Sequence, residues 1–171
     1  MIDVALKPGD VFATSNPHML GWMINFVQTM QSDDCSSTYG HCGIITSPAG
    51  ETFEALLWKI RPGMLEAYKG KQILIARWTG MNENTFKLGM LDILGQSGQW
   101  YPFGRLFLHL FGLPKIHRKN SEVCSELTTH FLIKAGATMR SGQNWYGVSP
   151  DELVDEWRIS RHFNIIFEGT A

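Results

Sequence analysis

The chain reads as an α+β protein with a mostly antiparallel sheet, and three observations carry that expectation. Helical and strand-like segments are mixed along its 171 residues rather than alternating as strand–helix–strand units. Several strand-like runs are separated by short turns, with no room for crossover helices. Two stretches late in the chain, 120–136 and 149–153, carry helix-start signals that the early strands lack. No internal repeat, low-complexity tract or interdomain linker interrupts the pattern, so residues 1–171 are expected to form one domain.

Composition bounds the function. Hydrophobic residues make up 44% and charged residues 18%, a globular balance with enough apolar material for a sizeable core. A net charge of −1 and the lack of a long basic run argue against a nucleic-acid surface, and Lys115–Lys119 is the single locally basic patch. No run is long enough to span a bilayer, because the apolar stretch Leu106–Leu113 is short and broken by His109. The start, Met1-Ile2-Asp3-Val4, lacks the basic and apolar regions of a signal peptide. Three cysteines (Cys35, Cys42 and Cys124) in no disulfide spacing fit reduced thiols and a cytoplasmic setting. A phage-encoded protein released by other means fits the same features.

Taken in order, Lys7-Pro8-Gly9-Asp10 is a turn that launches a short strand over Val11–Thr14. Leu20, Met23, Ile24, Val27 and Met30 then sit at helical spacing. Two strands follow, from Tyr39 to Thr46 and from Glu51 to Leu57, joined through the turn Ser47-Pro48-Ala49-Gly50. Pro62-Gly63 is expected to break the chain, with a short helical piece from Met64 to Tyr68 and a third strand over Ile73–Trp78. Asn82 or Asn84 caps a helix through Leu94, ended by the glycines of 95–98, and an apolar helix is expected from Arg105 to Phe111. Ser149-Pro150-Asp151-Glu152 combines an N-cap, a proline at the first helical position and a capping-box glutamate, and Phe163–Phe167 closes the chain as a strand.

The stretch Asn120-Ser121-Glu122-Val123-Cys124-Ser125-Glu126-Leu127 starts a helix with a cysteine in its first turn. Asn120 or Ser121 supplies a cap, acidic residues favour the positive end of the dipole, and Gly136 marks the stop. A thiol held there feels unpaired backbone N–H groups that favour thiolate. Without a histidine partner, Cys124 would be one more small buried hydrophobe.

Among six histidines, His41 is the best base, since it lies on a strand between Gly40 and Gly43, which leave room around it. If Thr46 pairs with Glu51 across the four-residue turn, Gly43 faces Glu54 and His41 becomes a diagonal neighbour of Glu54 on one face. That carboxylate could fix the imidazole tautomer and leave the other ring nitrogen for a thiol. A one-residue slip would send Glu54 to the opposite face. The other readings are plainer. Cys35, His41 and Cys42 match no usual zinc spacing, so neither metal nor cofactor is expected. Cys42 reads as a buried strand residue, Asp10 as a turn residue rather than a rival orienter, and Glu126 as a helix-start acid. His130 lies six positions beyond Cys124 and faces away from it.

The order Tyr39-Gly40-His41-Cys42-Gly43-Ile44, then Phe53-Glu54-Ala55, then Val123-Cys124-Ser125-Glu126-Leu127 resembles the circularly permuted papain-like enzymes of the YiiX/YaeF type, relatives of the NlpC peptidases. Lys7-Pro8-Gly9-Asp10-Val11, Ile75-Ala76-Arg77, Tyr101 and Tyr146-Gly147-Val148-Ser149-Pro150-Asp151-Glu152-Leu153 are similar too, so the resemblance covers nearly the whole chain. It implies a permuted papain-like, NlpC-like fold with Cys124 as nucleophile, His41 as base and Glu54 as the residue that orients the histidine. Cys42 stands where that group carries an apolar residue. No N-terminal tyrosine matches the one that assists the oxyanion in the non-permuted relatives. Oxyanion stabilisation would then rest on backbone N–H groups of Cys124 and Ser125.

The implied activity is hydrolysis of an amide or peptide bond through a thioester, a cell-wall peptide being one such substrate. Two alternatives stand beside it. One is a thiol acyltransferase or lipid-acting enzyme like the lecithin–retinol acyltransferase group, with Leu20–Met30 and Trp100–Leu113 lining an acyl groove. The other is a binding protein that keeps the fold without turnover.

Overall fold

The computed structural model describes residues 4–15, 38–56, 60–95, 97, 123–140, 142–144 and 146–171. Ten elements follow in chain order. Strands β1 (Val11–Thr14), β2 (His41–Ile45), β3 (Glu51–Ala55) and β4 (Ile60–Met64) precede a 3-10 turn over Leu65–Tyr68 and strand β5 (Gln72–Trp78). Helices α1 (Glu83–Leu94), α2 (Cys124–Ala135) and α3 (Pro150–Ile159) and the closing strand β6 (Phe163–Thr170) complete them. The expected helices over 16–30 and 105–111, the thiol Cys35, and Asn120 and Ser121 lie outside the described residues.

All six strands join one antiparallel sheet in the order β4-β3-β2-β1-β5-β6. The β2–β3 hairpin pairs Ile44 with Phe53 and Ile45 with Thr52, and Thr46 N–H donates to Glu51 O at 2.8 Å. That is the register the four-residue turn implies, with Gly50 at φ +83° closing it. Pro62-Gly63 does not break the chain; both residues lie within β4, which runs along the sheet's outer edge. An edge tolerates proline because only one side of the strand needs its N–H donors.

Both faces of the sheet are covered, which is why β1 and most of β2 and β5 are apolar at consecutive positions rather than alternate ones. On one face Val11, Ala13, Cys42, Ile44, Phe53, Leu74 and Ala76 pack against side chains of the three helices, among them Ile93, Leu127, Phe131, Leu153 and Trp157. On the other, Phe12, Ile45, Leu65, Ile73 and Ile75 form a smaller cluster with Tyr68 and Phe167 against it.

Helix α2 is buried along nearly its whole length, leaving only Lys134 exposed. Two of its hydroxyls bond back within it: Thr128 Oγ1 donates to Cys124 O at 2.9 Å and Thr129 Oγ1 to Ser125 O at 2.8 Å. Among the described residues no helix is long and apolar enough to cross a membrane.

Candidate active site

Helix α2 begins at Cys124, with Val123 as its N-cap in extended conformation. The start therefore falls later than a cap at Asn120 or Ser121 would place it. Val123 has no side-chain acceptor, so the first-turn N–H groups lack the usual cap. Glu126 holds this start from beside it. Its carboxylate accepts Val123 N–H at 3.2 Å and Gly147 N–H at 2.8 Å, and Ser125 Oγ donates to Val148 O at 2.6 Å. These contacts tie the 146–149 segment to the helix entrance, and they give Glu126 a structural task beyond the helix dipole.

His41 is the first residue of β2, and its Nε2 lies 2.7 Å from Glu54 Oε2. Glu54 reaches it because two glycines leave a slot. A Cβ on Gly43 would come within 2.8 Å of Glu54 Cγ, and one on Gly63 within 2.7 Å of Glu54 Oε1. The Glu54 carboxylate also accepts hydrogen bonds from Thr52 Oγ1 and Tyr68 OH. Tyr68 stacks on the imidazole with ring centroids 5.7 Å apart and planes at 30°, while Phe12 approaches the same ring edge-on at 6.2 Å.

Glu54 lies on the sheet face opposite the helices, and Cys124 arrives from the helical face. His41, at the end of β2, meets both. With Nε2 turned to Glu54, Nδ1 is the ring nitrogen left for the Cys124 thiol, whose influence on His41 favours the imidazolium. His41, Glu54 and Cys124 are 4%, 1% and 5% exposed, so these interactions run through a medium with little water.

The electrostatics follow from that enclosure. Burial disfavours the charged imidazolium, but hydrogen bonds and attraction to Cys124 and Glu54 outweigh it and push His41 up to about 10. Burial likewise opposes charge on Glu54, yet His41, Thr52 and Tyr68 hold its carboxyl below the usual range. Cys124 is pulled well below the ordinary thiol range, first by a hydrogen bond from the Cys42 side chain and then, against burial, by His41. Cys42 moves the opposite way, its thiol held protonated by burial and by the thiolate beside it. These directions favour a Cys124 thiolate beside a His41 imidazolium, with Cys42 kept as the thiol.

Three participants escape the sequence reading. Cys42 is more than a buried strand residue, because its thiol touches Cys124. Thr52 sits two positions before Glu54 on the same strand face, a signal the alternation of β3 carries. Tyr68 comes from a 3-10 turn beyond the next strand, and no spacing rule marks it. Other candidates stand elsewhere. Asp10 is fully buried near the far end of β2 and pairs with Arg77, whose Nε lies 2.7 Å from Asp10 Oδ1. His130 Nε2 lies 2.6 Å from Asp92 Oδ2, across the α1–α2 contact.

The molecule is thus an α+β protein whose six-stranded antiparallel sheet brings a histidine–carboxylate pair to a cysteine at a helix N-terminus. Among solved structures it is similar to YiiX from Escherichia coli O157:H7, described as a metalloprotein, with a TM-score of 0.66 and 13% identity over 98% of this chain and 100% of that one. At that identity the likeness is one of fold. No protein-family model and no curated protein matches the sequence. Among the described residues no group of three or more His, Cys, Asp or Glu is placed to hold a metal ion.

Proposed function

We propose that the protein is a cysteine hydrolase of permuted papain-like, NlpC-like architecture that cleaves an amide or peptide bond. One observation carries the reading: the His41 imidazole bridges the Glu54 carboxylate and the Cys124 thiol at the first residue of a helix. The fold shared with YiiX supports the scaffold, and the motif order supports the roles.

In this scheme the Cys124 thiolate attacks the substrate carbonyl carbon, and a carbon–sulfur bond forms as the carbonyl electrons move to oxygen. Backbone N–H groups of Cys124 and Ser125 have no carbonyl one helical turn back, so they are available to stabilise the oxyanion. Glu54 holds the imidazolium, which passes the Nδ1 proton to the leaving amine as the carbon–nitrogen bond breaks. A thioester on Cys124 remains. Neutral His41 then takes a proton from water at Nδ1, hydroxide adds to the thioester, and the thiolate departs. The acid product leaves with the water's oxygen, and Cys124 and His41 return to the thiolate–imidazolium pair.

The scheme is tested by labelling with a thiol-reactive acyl probe at neutral pH. Cys124→Ala and His41→Ala should each abolish labelling. Labelling retained in His41→Ala would remove the base from the mechanism. A panel of short peptides, murein fragments and acyl esters would then assign the scissile bond, and turnover of esters alone would replace the amide reading with acyl chemistry.

A further inference from the structure

We propose that Tyr68 is a positioning residue of this site, whose hydroxyl fixes the Glu54 carboxylate and whose ring holds the His41 imidazole against it. The inference rests on the Cys124–His41–Glu54 reading and adds a fourth member that comes from outside the hairpin. A carboxylate on a three-carbon side chain in a glycine-lined slot has freedom to rotate. Where Gly43 and Gly63 remove the walls, donors must supply the constraint. Tyr68 OH donates to Oε2, the oxygen that also accepts from His41, and Thr52 Oγ1 donates to Oε1. Both oxygens are then fixed in direction, and Glu54 stays ionised while buried.

The ring contributes separately. It lies 5.7 Å from the imidazole centroid at 30° and 5.4 Å from the Phe12 centroid, so the three rings form one mutual cluster with the imidazole packed against both aromatic side chains. The negative face of an aromatic ring also favours a cation stacked on it, here the imidazolium. Tyr68 is partly exposed while Glu54 and His41 are not, which makes its ring the screen between the pair and solvent on that side. The hydroxyl itself is no rival acid or base. Burial and the neighbouring carboxylate push it far above the ordinary tyrosine value.

The consequence is measurable without a known substrate. Iodoacetamide alkylation of Cys124, followed against pH in the full chain, reports the thiolate fraction, and Cys35 and Cys42 are separated from it by peptide mass analysis. In the unaltered protein alkylation should persist below the ordinary thiol range. Tyr68→Phe keeps the ring and removes the donor. Glu54 then protonates more easily and grips His41 less firmly, so the acid-side midpoint of alkylation should rise by up to about one pH unit. Thr52→Val should move it in the same direction, and the double variant further than either.

A residue that only packs would change thermal stability and leave the midpoint in place. An unmoved midpoint in Tyr68→Phe and Thr52→Val, with the unaltered protein still reactive at low pH, overturns the positioning role and spares the hydrolase reading. Alkylation in the unaltered protein that begins only at the ordinary thiol pKa overturns both.

Discussion

Cys42 and His41 are adjacent in sequence, point to opposite faces of one strand, and act on the same sulfur. Cys42 acts from the helical side and His41 from the strand end, and both influences lower the Cys124 thiol. A hydrogen bond to a charged group is worth about 1.5–3 kcal/mol, and one pKa unit corresponds to about 1.4 kcal/mol. Replacing Cys42 with alanine should therefore raise the Cys124 pKa toward the ordinary thiol value. A titration of thiolate absorbance near 240 nm would record this as a transition moved to higher pH. The signs on the two sides of the profile are fixed by the same shifts. The ion pair assembles as pH rises through the lowered Cys124 value and dissolves as His41 loses its proton near 10. Turnover that needs the imidazolium as acid should be flat between those limits and fall above the upper one. Sequence spacing could nominate His41 and Glu54 because a hairpin register ties their positions together. It gave Cys42 no role, because strand alternation sends residue 42 away from residue 41 and only the seating of α2 brings Cys124 between them.

At the scale of elements, the position of α2 decides whether Cys124 reaches His41, and α1 is one of the walls that sets it. Gly89 of α1 lies directly against Phe131 of α2. A Cβ there would meet the Phe131 ring at 2.7 Å and the Phe131 carbonyl oxygen at 2.9 Å. Alanine in a helix interior is favoured over glycine by about 1 kcal/mol. Overpacking against a backbone atom that has no rotamer to change costs about 1–3 kcal/mol, and the cost should win. Gly89→Ala is expected to lower the urea midpoint. Gly95→Ala is the matched comparison, since nothing lies within 4 Å of its Cβ position and its φ of −61° suits any residue. That change should leave stability unchanged or raise it by about 0.5 kcal/mol. A midpoint for Gly89→Ala above that of the unaltered protein would show that the helices separate without penalty.

The element boundaries divide in the same way. Caps with a side-chain acceptor, such as Asn82 on α1 and Ser149 on α3, stand where local chemistry places them. The start of α2 does not, because Val123 offers no acceptor and the entrance is held by Glu126 and Gly147 from 21 positions away. Strand β4 is the other departure. Pro62-Gly63 looks like a breaker locally, and the free edge of a sheet accommodates it.

For the whole molecule, the sheet order places β1 at the centre, between β2 and β5, with all four of its residues fully buried. Strand β2 is its immediate neighbour, so His41 stands on one of the most enclosed parts of the fold. The carboxylate comes one strand further out, and Tyr68 follows the outer edge strand β4. Local opening should respect that gradient. In hydrogen exchange, the amides of Phe12 and Ala13 are expected among the slowest, and those of β4 and of the outer side of β6 among the fastest. Slow exchange throughout β4 would mean that this edge is covered by another part of the protein, and that the Tyr68 wall is less open to solvent than its partial exposure indicates.

Sequence alone determined the class of fold and the hairpin register and nominated Cys124, His41 and Glu54 as the residues to bring together, because each depends on neighbours within a few positions: alternation along a strand, a four-residue turn, a thiol beside a helix start. Tertiary structure decided the rest. Whether Cys124 meets His41 depends on how a helix some eighty positions later seats against β2. The donors to Glu54 depend on a second turn folding back over the sheet, and the charge state of the site depends on burial that no local window contains. Long-range packing brings together groups whose separation along the chain carries no record of the contact, and at this site those contacts set which atoms hold the charge.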